Sequence, residues 1–97
     1  MALFLRPLSW FVYIIHSQSH NIYYKGETED PAARIRAHNL GLSEYTKQKG
    51  PWQPLYIERV EDRRAALKRE KQLKKLKHRS IVKLIESPQN IIKEYFI

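Results

Sequence analysis

The chain has 97 residues, 42% of them hydrophobic and 11% aromatic, which suits one compact domain and excludes wholesale disorder. It contains no cysteine, so a disulfide scaffold, a thiolate zinc site, a cysteine nucleophile and thiol redox chemistry are all excluded. Eighteen Lys and Arg against ten Asp and Glu give a net charge of +8, which favours a polyanionic partner.

Residues 1–9 read as an N-terminal extension. They are apolar, but Arg6 and Pro7 interrupt them and no basic segment precedes them, so they make a poor signal peptide. No run reaches the roughly 18 apolar residues of a membrane span. The expectation is a cytoplasmic protein that does not engage a membrane.

Residues 10–15 (Trp-Phe-Val-Tyr-Ile-Ile) are β-branched and aromatic throughout, the composition of a strand buried on both faces. The polar cluster 16–21 is a turn, in which His16 and His20 read as loop residues. Residues 22–26 resume the strand pattern and close an antiparallel hairpin. Asp30 is placed to cap a helix, Pro31 suits its first turn, and Gly41 suits a left-handed residue after its end. That predicts a short helix over 32–39. Residues 40–53 read as a loop and 54–60 as a third strand. A long helix is expected from about 62 to 77 and a shorter one over 80–86, ended by Pro88. The domain is then 10–87, with a C-terminal tail over 88–97. Strand-strand-helix-strand-helix-helix predicts an α+β fold with a three-stranded antiparallel sheet.

The charge is concentrated. Residues 62–83 hold ten basic residues against Asp62 and Glu70, a net of +8, while the remainder holds eight of each sign. An ordinary solvated helix face would carry interspersed acids at i,i+4, and these are nearly missing. Unpaired like charges repel, and a polyanion relieves them, so the segment reads as a nucleic-acid surface.

Glu70 falls on or beside the apolar stripe formed by Ala66, Leu67, Leu73 and Leu76. A carboxylate leaving water needs a partner. Two compensators are open: a salt bridge from another element, or a hard divalent cation beside a phosphate.

The strands and helices carry Phe11-Val12-Tyr13, Tyr24-Lys25-Gly26, Arg34 and His38 four apart, and Glu70 within Ala-Leu-Lys-Arg-Glu-Lys. In this order and spacing the chain resembles the GIY-YIG nuclease superfamily, and within it the small stand-alone single-domain bacterial members, over about residues 10–84. The resemblance implies cleavage of DNA phosphodiesters with one divalent metal ion, Mg²⁺ or Mn²⁺, in a setting such as DNA repair or recombination. Carried over by position, the catalytic residues are Tyr13, Tyr24, Arg34, His38 and Glu70, with Glu70 the metal ligand. Arg36, Lys68, Lys71, Lys74 and Lys75 are the expected nucleic-acid-binding residues.

The chemistry suits those residue types. A phenolate can take a proton from water if nearby cations lower its pKa. Arginine offers two parallel donors to phosphate oxygens. The departures are Phe11 in place of the first glycine, Lys25 in the middle of the second triplet, and Glu27 directly after Gly26. The leading function is a metal-dependent DNA endonuclease whose specificity comes from DNA shape or from a protein partner. The alternative is a non-catalytic nucleic-acid-binding module that uses the basic helix.

Overall fold

The computed structural model describes residues 9–96. Of the N-terminal extension, therefore, only Ser9 is described, and the reading of residues 1–8 lies outside the described part.

Strand β1 (Trp10–Ser17) is central, with β2 (Ile22–Thr28) and β3 (Trp52–Val60) antiparallel on either side. Helix α1 is Pro31–Asn39, α2 is Arg63–Lys74 and α3 is His78–Ile85; a short 3₁₀ turn covers Ile92–Glu94. The α+β class, the three-stranded antiparallel sheet and the order of elements are as expected. Strand alternation explains why β1 is apolar from Trp10 through Ile15. Phe11, Tyr13 and Ile15 face one layer, with Ile35 of α1 and Trp52 and Ile57 of β3. Val12 and Ile14 face the other, with Ala66, Leu73 and Ile81 from the two later helices. A strand covered on both sides needs two apolar faces.

The capping signals act as read. Asp30 accepts from Ala33 N at 3.1 Å, and Asp62 accepts from Ala65 N at 2.8 Å. Gly41 takes φ 75° just past the C-cap of α1.

Several bounds differ from the sequence reading. β1 runs on to Ser17, which places His16 in the strand, paired with Tyr23 and Gln53. β3 begins at Trp52 and contains Pro54; it is an edge strand, where a missing N–H is tolerated. Pro54 pairs with Ile15 and Tyr56 with Ile14, so Leu55 is the extra residue of a bulge.

The expected long helix stops at Lys74, and the next starts at His78. No Gly or Pro marks the break. A straight helix would carry Ile81 about 12 Å beyond Leu73. The turn instead returns Ile81, Leu84 and Ile85 to the same core cluster. Packing ends this helix.

The tail also has a place. Asn90 donates to Leu55 O at 3.0 Å and Ile85 O at 2.9 Å, and accepts from Ile57 N at 3.2 Å. Its side chain thus pins the tail at the bulge, and Ile91, Ile92, Tyr95 and Phe96 pack on the first cluster. Among the described residues no helix is long and apolar enough to cross a membrane.

Candidate active site

The site is built around Tyr13. Its register partner on β2 is Gly26, and a Cβ there would come within 2.6 Å of Tyr13 Cζ. Only hydrogen at position 26 leaves room for the phenol. The hydroxyl shares a 2.7 Å hydrogen bond with His38 Nε2, and His38 Nδ1 shares one of 2.6 Å with Thr46 Oγ1. His38 and Thr46 are both buried.

Burial first, then the Arg34 guanidinium, push His38 down to about 4. It is therefore a neutral ring near pH 7, with one nitrogen donating and one accepting. Burial, and then the Tyr24 phenol, hold Tyr13 above the ordinary tyrosine range, while Arg34 acts on it in the opposite direction through charge and a hydrogen bond.

Tyr24 lies on the same face, two residues before Gly26. Its ring centroid is 6.3 Å from Tyr13, 5.0 Å from His38 and 5.7 Å from Tyr45. Tyr23 alternates to the opposite face, where its hydroxyl bonds His78 Nδ1 at 2.6 Å and ties β2 to α3. Glu27 likewise alternates away from Tyr13, since its register partner is Val12. Phe11, at the position of the first glycine, packs edge-on against Tyr95 at 5.7 Å. Neither departure contacts the Tyr13 hydroxyl or its partner His38. Lys25 lines the adjacent pocket.

Helix α2 brings Glu70 to the same place. Ala66 and Leu73 point into the core, and Glu70 lies on the flank facing β2, close enough to act electrostatically on Tyr13. Its partner does not arrive from another element. It is Lys74, one turn on in the same helix, at 3.0 Å. That bond raises the Lys74 pKa. Burial first, then Lys74, lower that of Lys25 across the pocket.

The other expected basic residues diverge from this centre. At about 100° per residue, Lys74 is about 40° around the helix from Glu70, Lys71 about 100°, Lys75 about 140° and Lys68 about 160°. Lys68, Lys71 and Lys75 are exposed, and Lys68 and Lys75 project from the side opposite the core. Arg36 is exposed on α1, whereas Arg34 is half-buried and reaches Ser43 Oγ at 3.4 Å.

Ser43 and Thr46 are buried residues of the segment between α1 and β3. Sequence reasoning passed over them as loop. Two polar residues three apart, bracketing the aromatic Tyr45, were the available signal.

Glu70 is the carboxylate at this site, and among the described residues no group of three or more His, Cys, Asp or Glu could hold a metal. Zinc, which takes three or four protein ligands, does not fit. A hard cation that keeps one carboxylate and fills its remaining positions with water and phosphate oxygens does.

Known proteins carry the same pattern. Residues 9–84 match the GIY-YIG catalytic domain. A UPF0213 protein of Clostridium perfringens is 37% identical over 78 residues, covering 79% of this chain and 83% of that one. A UPF0213 protein of Desulfotalea psychrophila is 38% identical over 86 residues, with 84% and 76% covered. The solution NMR structure of a UPF0213 protein from Bacillus halodurans superposes with a TM-score of 0.52 at 24% identity, covering 88% of this chain and 90% of that one, and so shares the fold. With its tyrosines, arginine, histidine and glutamate gathered on that fold, the chain belongs to the GIY-YIG family, a family of nucleases whose members generally use a divalent metal.

Proposed function

We propose that the protein is a divalent-metal-dependent endonuclease that hydrolyses DNA phosphodiesters. The observation that carries this reading is the convergence of Tyr13, Tyr24, Arg34, His38 and Glu70 from four elements around the Tyr13 hydroxyl. Arg34 binds the non-bridging phosphate oxygens and offsets the charge that grows on them. His38 fixes the Tyr13 hydroxyl through Nε2, and Thr46 fixes the ring through Nδ1. Tyr13 and Tyr24 then present phenol oxygens to the attacking water. A divalent cation held by Glu70 supplies Lewis-acid relief of charge on the phosphate ester.

Incubation with supercoiled, nicked and branched DNA, with and without Mg²⁺ or Mn²⁺, tests the proposal. Metal-dependent nicking is the expected result. Tyr24→Phe should fold normally and cleave about 10²- to 10⁴-fold more slowly; parental activity in that variant removes Tyr24 from the chemistry. One observation favours a non-catalytic nucleic-acid-binding module, namely the Lys74 ammonium already seated on Glu70. DNA binding without nicking under every metal would establish that reading instead.

A further inference from the structure

A pocket of about 380 Å³ opens beside the site, lined by Tyr23, Tyr24, Lys25, Tyr45 and Lys74. The phenol rings of Tyr24 and Tyr45 and two ammonium groups, that of Lys74 paired with Glu70, form a set suited to an aromatic ring that carries negative charge beside it. Tyr45 is the element that the chemistry above leaves unused. It is 59% exposed, yet two groups contact its ring. Lys49 Nζ sits 4.0 Å from its ring centroid, and Tyr24 lies at 5.7 Å with the planes inclined by 32°.

The backbone beneath it is fixed to the site. Ser43 meets Arg34, Thr46 meets His38, and Trp52 Nε1 donates to Thr46 O at 3.1 Å. Tyr45 therefore stands at a set distance from Tyr13 and Arg34, so ordering it on binding loses little entropy. Glu44, the one acid of that segment, is paired with Lys47 at 3.0 Å and leaves Lys49 to the ring.

We infer that Tyr45, backed by Lys49 and facing Tyr24, is a stacking site for one unpaired nucleobase of DNA next to the bound phosphate. Bases in a duplex have both faces covered by their neighbours, so only an unstacked base offers a face to a tyrosine. Lys25 and Lys74 line the same opening and take the flanking phosphates. The pocket volume lies at the small end of the range for single small ligands and holds one nucleotide, not a helix. The inference rests on the nuclease reading only for the identity of the polyanion, and its test needs no cleavage.

Binding is measured in EDTA with an oligothymidylate of about ten nucleotides and with a blunt duplex of equal length. Tyr45→Leu should lose about 5- to 150-fold in affinity for the single strand and less than about twofold for the duplex. Tyr45→Phe, which keeps the π-face, should retain parental affinity for both. The melting temperatures of the variants serve as the folding control. Unchanged single-strand affinity in Tyr45→Leu, or equal losses on both probes, overturns the stacking site. A protein that shows the expected pattern but cleaves no DNA keeps this site and loses the nuclease reading; a protein that cleaves without the pattern does the reverse.

Discussion

Two carboxylates flank the contact of α2 with the sheet, almost equally buried and oppositely constrained. The Glu58 side chain is 16% exposed and that of Glu70 is 17% exposed. Glu58, on β3, accepts from Arg69 Nε at 3.1 Å and from the hydroxyl of fully buried Tyr56. Arg69 in turn donates to Gln72 at 2.9 Å, so every polar group in that cluster is held. The Tyr56 hydroxyl is kept protonated by burial first and then by Glu58. Glu70, the next residue along the helix from Arg69, is paired among the described residues with Lys74, whose side chain is 58% exposed. An exposed ammonium on a four-carbon stem can leave at little cost. Burial of a carboxylate therefore does not identify its task, whereas the rigidity of its partner does. Glu58 is locked to join helix to sheet, and Glu70 is held by a group that can be exchanged.

That contrast can be broken most decisively at Glu70. Glu70→Gln should abolish cleavage, lowering it by at least about three decades, while changing stability by less than about 1 kcal/mol. Binding of DNA in EDTA should persist. Retained metal-dependent cleavage would remove Glu70 from the chemistry, and a large fall in melting temperature would make it the equal of Glu58.

The second effect concerns the group beneath the site. The His38 pKa is depressed in the folded protein to about 4, from an ordinary value near 6.5. Between these values the unfolded chain binds the extra proton, so stability is full above pH 6.5 and is lost as pH falls towards 4. The loss should reach about 3 kcal/mol. In His38→Gln, melting temperatures measured from pH 7 to 4.5 should show a shallower decline. An unaltered slope would assign the acid sensitivity to other groups.

The third effect sharpens the other side of the comparison. Arg69→Met leaves Glu58 without its cation and should cost about 2 kcal/mol, or a melting temperature lower by about 10 °C. Lys74→Met should cost no more than about 0.5 kcal/mol. Equal shifts in the two variants would mean that the pairs are equivalent after all.

The smallest effect separates the lysines. Lys74→Gln should weaken DNA binding and reduce the salt slope by about one unit. Lys68→Gln and Lys75→Gln, on the far side of α2 from Glu70, should each alter the slope by less. The reverse order would put the DNA across the outer face of the helix and away from the tyrosines.

Part of this site is legible without coordinates. The alternation of β1 and β2 puts Tyr13, Tyr24 and Gly26 on one face once the hairpin is recognised, and the i,i+4 spacing puts Arg34 and His38 together on α1. Glu70 stands out because it interrupts an apolar stripe. Less legible is the segment over 40–51, which reads as connection. Its buried Ser43 and Thr46 nevertheless hold Arg34 and His38, and Tyr45 stands between them.

The sequence by itself determined the elements, their order and the two apolar faces of the central strand. Those follow from periodicity and capping, which act over a few neighbouring residues. Three things were decided only in the folded chain: the break between α2 and α3, the seat of the tail at the Leu55 bulge, and the partner of each buried carboxylate. Each depends on residues that are distant in the chain and close in space. Leu73 and Ile81 reach one core only if the helix turns, and Asn90 has carbonyls to bond only where β3 bulges. Adjacent on one helix, Arg69 and Glu70 part company because the sheet offers a carboxylate to the first and the neighbourhood of the Tyr13 phenol to the second.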